Sequence, residues 1–355
     1  MMNPIYQEEQ RPAPAQTKAG WLRWSVRYLV AGLILALGAY FLYPQLPSLT
    51  NALHVAGQMS RWLILLAVIL QVGSYLGSGY LMQSVVRLTG QRISLLRGIV
   101  ITLAANSVSL LAGGTVLAFA LTYRWMRSSG VSREGAGFAC TLPWVFNNLV
   151  LVLFAVTGLL YLVYLHKLTT AGMVALVSSV LLLVLVVLVV AWGIRYQRRL
   201  TRLAHWVAQR WATFRHKPTD AAAVDRALGQ LFDAWKLLRQ GGWRAPLLGA
   251  VLNNGLDILM LYILFIAAGH RLGLGALLAG YGLPLLLGKL GILPGGLGIV
   301  EGSMAVIYGT LGLPTALSLV VILVYRLLAF WIPTVLGFLL VAYLQQRSRS
   351  IDQAQ

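Results

Sequence analysis

The sequence predicts an all-α polytopic membrane protein of six transmembrane helices and two re-entrant helical hairpins, eight hydrophobic segments arranged as an inverted-topology repeat. Three observations carry this. Hydrophobic residues make up 59% of the 355 and charged residues 10%, the mean hydropathy is +0.77, and several apolar runs reach the ~20 residues a spanning helix needs. Leu111-Ala112-Gly113-Gly114, followed by Gly130, returns in the second half as Leu293-Pro294-Gly295-Gly296, followed at the same spacing by Gly312. Finally, 23 of the 28 Lys and Arg residues fall in segments that a single topology places together on the cytoplasmic side.

That placement accounts for the net charge of +19 through membrane topology, and no nucleic-acid partner is expected. The length leaves no room for a large extramembrane catalytic domain once the spans are placed. Cys140 is the single cysteine, so no disulfide framework exists. The polar stretch from Met1 to Gly20 lacks the apolar core and small-residue cleavage site of a signal peptide. Residues 1–25 read as a disordered basic cytoplasmic tail, 26–344 as the transmembrane domain with halves at about 62–164 and 245–344, and 345–355 as a second cytoplasmic tail.

The first two spans cover about residues 28–43 and 62–82, the first flanked by interfacial Trp and Tyr. The stretch 93–122 is basic at both ends, with Arg87 and Arg92 before it and Arg124 and Arg127 after it. A single crossing would strand one basic end outside, whereas a hairpin bent at Gly113-Gly114 keeps both inside. Spans at 135–164 and 173–192 follow. In the cytoplasmic loop 193–244, Leu200, Leu203, Val207 and Trp211, then Leu228, Leu231 and Trp235, recur at three- and four-residue steps, as on helices with one apolar face. With Arg198, Arg199, Arg202 and Arg210 on the polar side, these helices are expected to lie on the anionic inner leaflet. A span at 246–268, a hairpin over 274–313 bent at Pro294-Gly295-Gly296, and a span at 317–344 complete the chain. The second hairpin must enter from outside if Arg347 and Arg349 are inside. Two related breaks entering from opposite faces point to a transport site, because backbone groups freed at membrane depth survive only where they line an enclosed or hydrated cavity.

The sharpest local signal is Pro294-Gly295-Gly296-Leu297-Gly298-Ile299-Val300-Glu301. Proline and glycines stop the incoming arm, and the outgoing arm starts a half-helix whose free amides attract phosphate or carboxylate. Glu301 should stand beside that cradle, paired, protonated or facing water, with Arg326 and Lys289 as candidate partners. Asn147-Asn148, Asn253-Asn254 and Asp257 bring polar groups into the spans beside each hairpin, the amides suited to bonding across helices. The transport-site candidates are thus Gly295, Gly296, Glu301, Arg326, Lys289 and Asp257, with Gly113 and Gly114 at the first break. Gly296-Leu297-Gly298 lacks the third glycine and preceding strand of a dinucleotide loop. His54, His166 and His270 have no metal-ligand spacing, and neither a metal nor a cofactor is expected.

Pro294-Gly295-Gly296-Leu297-Gly298 followed by Glu301, Gly312-Leu313-Pro314, Tyr325-Arg326 and Pro333 resembles the lysylphosphatidylglycerol synthase transmembrane, or flippase-like, family. The resemblance is most specific over residues 292–337. It implies a lipid flippase domain, and without an aminoacyl transferase domain the chain is expected to be a stand-alone, non-enzymatic member. Gly295, Gly296, Glu301 and Arg326 carry over as pathway residues. The first hairpin departs from the family pattern, with Ala112 where proline is common and no acidic residue in 115–121, which leaves the head group open. The expected activity is movement of a phospholipid or lipid-linked head group across the bacterial inner membrane, both termini cytoplasmic. The alternative is a small-solute or ion transporter using the same hairpins. Expected partners are anionic phospholipid or aminoacylated phosphatidylglycerol, with a second copy of the chain and a separate lipid-modifying enzyme as candidates.

Overall fold

The computed structural model describes residues 60–110, 114–165, 236–290 and 294–352, with isolated positions between 196 and 233. The expected spans at 28–43 and 173–192, the N-terminal tail, Gly113 and Arg198 lie outside the described residues. The described residues form helices α1 (Arg61–Arg87), α2 (Leu95–Val108), α3 (Gly114–Arg127), α4 (Arg133–Tyr164), α5 (Arg244–Ala267), α6 (Leu274–Leu290), α7 (Ile299–Thr310), α8 (Thr315–Arg326) and α9 (Ile332–Asp352). A π turn, Leu327–Trp331, joins α8 to α9, so that Thr315–Gln345 forms one long apolar helix. With α1, α4 and α5 it makes four helices long and apolar enough to cross a membrane. Their outer faces carry Ile69, Val72, Leu160 and Leu339, all more than half exposed, as suits contact with lipid tails. The other four helices have 12 to 17 residues, too short to cross alone. The last helix runs on to Asp352, so a segment expected to be tail continues the span as helix.

Local sequence explains the boundaries. Ser94 and Ser132 cap α2 and α4, their hydroxyls accepting from Arg97 N at 3.2 Å and Gly135 N at 3.1 Å, and Glu134 complements the dipole of α4. The two equivalent glycines that follow the breaks close α3 and α7 in the same way. Gly130 (φ 83°) and Gly312 (φ 92°) take the left-handed conformation, which only glycine enters without cost. Each permits the bond that terminates its helix, from Val131 N to Met126 O at 3.2 Å and from Leu313 N to Tyr308 O at 3.1 Å. The two glycines thus share a hydrogen-bonding role as well as a spacing.

Glycines also set how the helices cross. Gly77 of α1 meets the backbone of Leu252 and Asn253 in α5, and Gly249 of α5 meets Leu81. Gly158 and Ala155 of α4 face Ala279 and Gly282 of α6. Gly337 of α9 abuts Leu103 and Ser107 of α2, and the Ser107 hydroxyl donates to Thr334 O at 2.9 Å. In each pair the numbering rises along one helix as it falls along the other, so all three crossings are antiparallel. The pattern is reciprocal: the incoming arm of each short-helix pair packs on the long helix that follows the other pair. In lipid such contacts rest on close approach of small residues, since burying apolar surface gains nothing against acyl chains. Replacing Gly158 with Leu should force α4 and α6 apart and destabilise by at least the ~1–3 kcal/mol of overpacking. Thermal unfolding in detergent should show a lowered midpoint, whereas Gly255→Ala, at a position with open space around it, should leave the midpoint unchanged or slightly higher.

Candidate functional site

The second break begins after α6, where Pro294–Gly296 makes a single 3₁₀ turn. A β-carbon on Gly296 would lie 2.5 Å from the Cα of Gly288 in the incoming arm, and one on Gly295 would strike the Phe330 ring. The same β-carbon on Gly295 would sit 3.3 Å from Leu110 Cδ2, at the far end of the first incoming arm. The tips of the two short-helix pairs thus approach each other.

Glu301 and Arg326 lock this break. Glu301 occupies the third position of α7, and its Oε2 accepts from the N–H of Gly298 at 2.7 Å. Its Oε1 accepts from Arg326 Nε at 2.7 Å, and Arg326 Nη2 donates to the Gly295 carbonyl at 2.9 Å. The guanidinium lies 4.2 Å from the centre of the Phe330 ring, a cation–π contact. The side chains are only 4% and 12% exposed for Arg326 and Glu301. Arg326, rather than Lys289, is therefore the partner of Glu301. The positive end of α7 is occupied by the chain's own carboxylate, so the anion cradle expected there is already filled. By contrast, α3 opens with no acidic residue in its first turn, and Val116 is exposed.

Lys289 stands apart from this pair. It is exposed near the end of α6, and its Nζ donates to Asn148 Oδ1 of α4 at 2.7 Å. No carboxylate pairs with it among the described residues. An ammonium has three donors, so the bond to Asn148 leaves two. The other amides bond across helices as expected. Asn147 Oδ1 accepts from Asn253 Nδ2 at 3.1 Å and Asn254 Nδ2 at 3.0 Å, and the Ser74 hydroxyl of α1 donates to the Asn253 carbonyl at 2.9 Å.

Asp257 lies on α5, and its Oδ2 accepts from the hydroxyls of Tyr281 at 2.8 Å and Tyr325 at 2.9 Å. The two rings meet edge to face with centroids 6.4 Å apart, and the Gln71 amide of α1 lies against the same carboxylate. Because Tyr325 precedes Arg326, this cluster adjoins the ion pair. Tyr281 and Phe330, which the sequence does not single out, complete the site together with Gln71, a polar residue inside a span. Their separations from their partners carry no periodicity, so no sequence signal could have joined them.

Of the surface cations, Arg199 stacks on Tyr196 at 4.9 Å, and Arg199, Arg202 and Arg210 are exposed at helical positions. His205 Nε2 and Asp225 Oδ1, both at helical positions, lie 2.7 Å apart. No cluster of His, Cys, Asp and Glu suited to a metal ion occurs among the described residues.

The family described as the lysylphosphatidylglycerol synthase TM region matches residues 24–337. No curated protein matches the chain. Since the family match takes in both glycine breaks and the Glu301–Arg326 pair that locks the second, the chain belongs to the lysylphosphatidylglycerol synthase transmembrane-region family.

Proposed function

We propose that the protein is a lipid flippase, carrying an anionic phospholipid or aminoacylated phosphatidylglycerol between leaflets of the bacterial inner membrane without altering it chemically. The observation that carries this reading is Lys289. It lies about 22 Å along α6 from Leu274, at the ~1.5 Å rise of a helix, and Asn148 lies equally far along α4 from Arg133. Both therefore fall within a hydrocarbon core of ~30 Å. A cation at that depth costs at least ~2.5 kcal/mol unless compensated. The nearby carboxylates are engaged, Glu301 by Arg326 and Asp257 by two tyrosines. A lipid phosphate reaching Lys289 and Asn148 supplies the missing charge while its acyl chains stay in the bilayer.

The short-helix pairs act as re-entrant hairpins in this account. Arg97 Nε of α2 donates to Ser129 Oγ at 3.0 Å and Ser132 N donates to Gln91 Oε1 at 2.9 Å, which supports a first hairpin that begins and ends on one side. The reciprocal antiparallel crossings and the constant offset between the two motifs support an inverted repeat, one half rocking against the other. The basic segments favour both termini in the cytoplasm. Glu301 and Arg326 hold the second break rather than gripping the head group.

The test is reconstitution in vesicles of phosphatidylglycerol and phosphatidylethanolamine carrying a fluorescent phosphatidylglycerol. Dithionite quenching from outside should bleach label moving out from the inner leaflet far faster than in protein-free vesicles. Equal rates would end the transport reading.

A further inference from the structure

The buried polar cluster around Asp257 has a different character from the ion pair beside it. Asp257 lies close to the middle of its span, Arg244–Ala267. Its carboxylate has no ion-pair partner among the described residues, and the residue as a whole is half-buried. Groups from four other helices face it or its neighbours: Gln71 and Tyr75 from α1, Tyr281 from α6, Tyr308 from α7 beyond Tyr325, and Tyr325 with Arg326 from α8. Arg326 is committed to Glu301 and Gly295, α4 sets Phe154 against the Tyr281 ring, and its Asn147 amide is bonded to Asn253 and Asn254. Gln71 is 7% exposed, and its Oε1 accepts no hydrogen bond among the described residues. The amide presents its NH2 to the carboxylate, which leaves its oxygen without a donor. A proton on Asp257 resolves it, because a carboxyl group can donate where a carboxylate cannot, and an amide can turn to receive it.

The position of Asp257 in the repeat sharpens this. The offset that carries Gly113 onto Gly295 and Gly130 onto Gly312 also carries Tyr75 onto Asp257. The two equivalent positions lie close to each other where α1 and α5 cross, beside the contact of Gly73 with Leu256. A group on the crossing of the two halves changes surroundings when one half rocks against the other. Glu301, with both oxygens bonded and one to a cation, lacks that freedom.

We propose that Asp257 is the proton-carrying residue that couples lipid movement to the proton gradient, a role that rests on the lipid-transport reading above. The carboxylate takes a proton from water on one side, becoming a neutral carboxyl, and returns it to water on the other after the halves have rocked. Tyr281 and Tyr325 through their hydroxyls and Gln71 through its NH2 hold the ionised form, and on protonation the Gln71 amide turns so that its oxygen receives the new hydrogen bond.

The experiment uses the same vesicles with fluorescent phosphatidylglycerol under an imposed one-unit pH gradient. One proton per lipid corresponds to a leaflet bias of up to ~tenfold. Wild-type protein should build such a bias, and Asp257→Asn should bring the ratio with and without the gradient to about one. Tyr281→Phe and Tyr325→Phe each remove a donor that favours the ionised carboxylate, so the pH midpoint of stimulation should move upward. Wild-type protein that moves lipid but ignores the gradient overturns the proposal, as does a gradient response surviving Asp257→Asn. Should Asp257→Asn fail to fold, an unmoved midpoint in both tyrosine variants overturns it as well. A response to a sodium gradient in place of protons has the same result. Absence of lipid movement in wild-type protein overturns the transport reading, and this role with it.

Discussion

Replacing Arg326 with Ala should lower stability by about 3–5 kcal/mol, the range for removing one partner of a buried ion pair. The guanidinium satisfies Glu301, the Gly295 carbonyl and the face of Phe330 at once. Its loss leaves a carboxylate only 12% exposed with no compensating charge, and frees a carbonyl at the tip of the second break. Thermal unfolding in detergent should show a large fall in midpoint. Glu301→Gln should cost less, because the amide oxygen can still accept from Arg326, although its NH2 cannot accept from Gly298 N–H as the second carboxylate oxygen does. Replacing both residues with apolar ones, Glu301→Leu with Arg326→Met, should recover part of the loss, since two buried charges are removed together. If Arg326→Ala unfolds at the wild-type midpoint, the pair does not hold the break.

Lys289→Ala should produce the largest functional defect with little structural cost. A hydrogen bond to a charged group is worth ~1.5–3 kcal/mol, so losing the contact with a lipid phosphate should slow lipid movement by about 10- to 100-fold. The unfolding midpoint should stay close to wild type, because the side chain is exposed and its one described partner, Asn148, leaves it by a single hydrogen bond. Lys289→Arg should retain part of the rate. Vesicle assays with the fluorescent lipid separate these outcomes, and an unchanged rate in Lys289→Ala would remove the cation from the pathway.

Much of the architecture could be read from the chain because membrane proteins mark their breaks with residues that have few alternatives. Proline and glycines located the interruption at Pro294–Gly296, and Gly114 opens the helix that follows the first motif. Gly130 and Gly312, spaced alike from the two motifs, proved to make the same closing hydrogen bond. The cross-helix role of Asn147, Asn253 and Asn254 was equally legible, since an amide at that depth must find a partner. The pairing of Glu301 was not. Lys289 and Arg326 are both cations flanking the motif, and the choice between them depends on how α8 packs against the broken helix. The filled anion cradle was hidden because α7 starts at Ile299, which places Glu301 in its first turn, within reach of its own capping position. The Asp257 cluster joins residues 24 and 68 positions apart, separations that reflect tertiary packing alone. The long final helix follows from its apolar run, but its π turn at Leu327–Trp331 does not, and that turn carries Phe330, which stacks on Arg326.

The central claim is that the chain turns back at both glycine breaks. Single cysteines introduced at Arg92 and Arg124 in a Cys140→Ala background, probed with a membrane-impermeant maleimide on right-side-out and inverted vesicles, test it most directly. Both positions should react only from the cytoplasmic face, while cysteines at His270 and Pro314 react only from the other. Labelling of Arg92 and Arg124 from opposite faces would mean that residues 95–127 cross the membrane, and the hairpin account would be wrong.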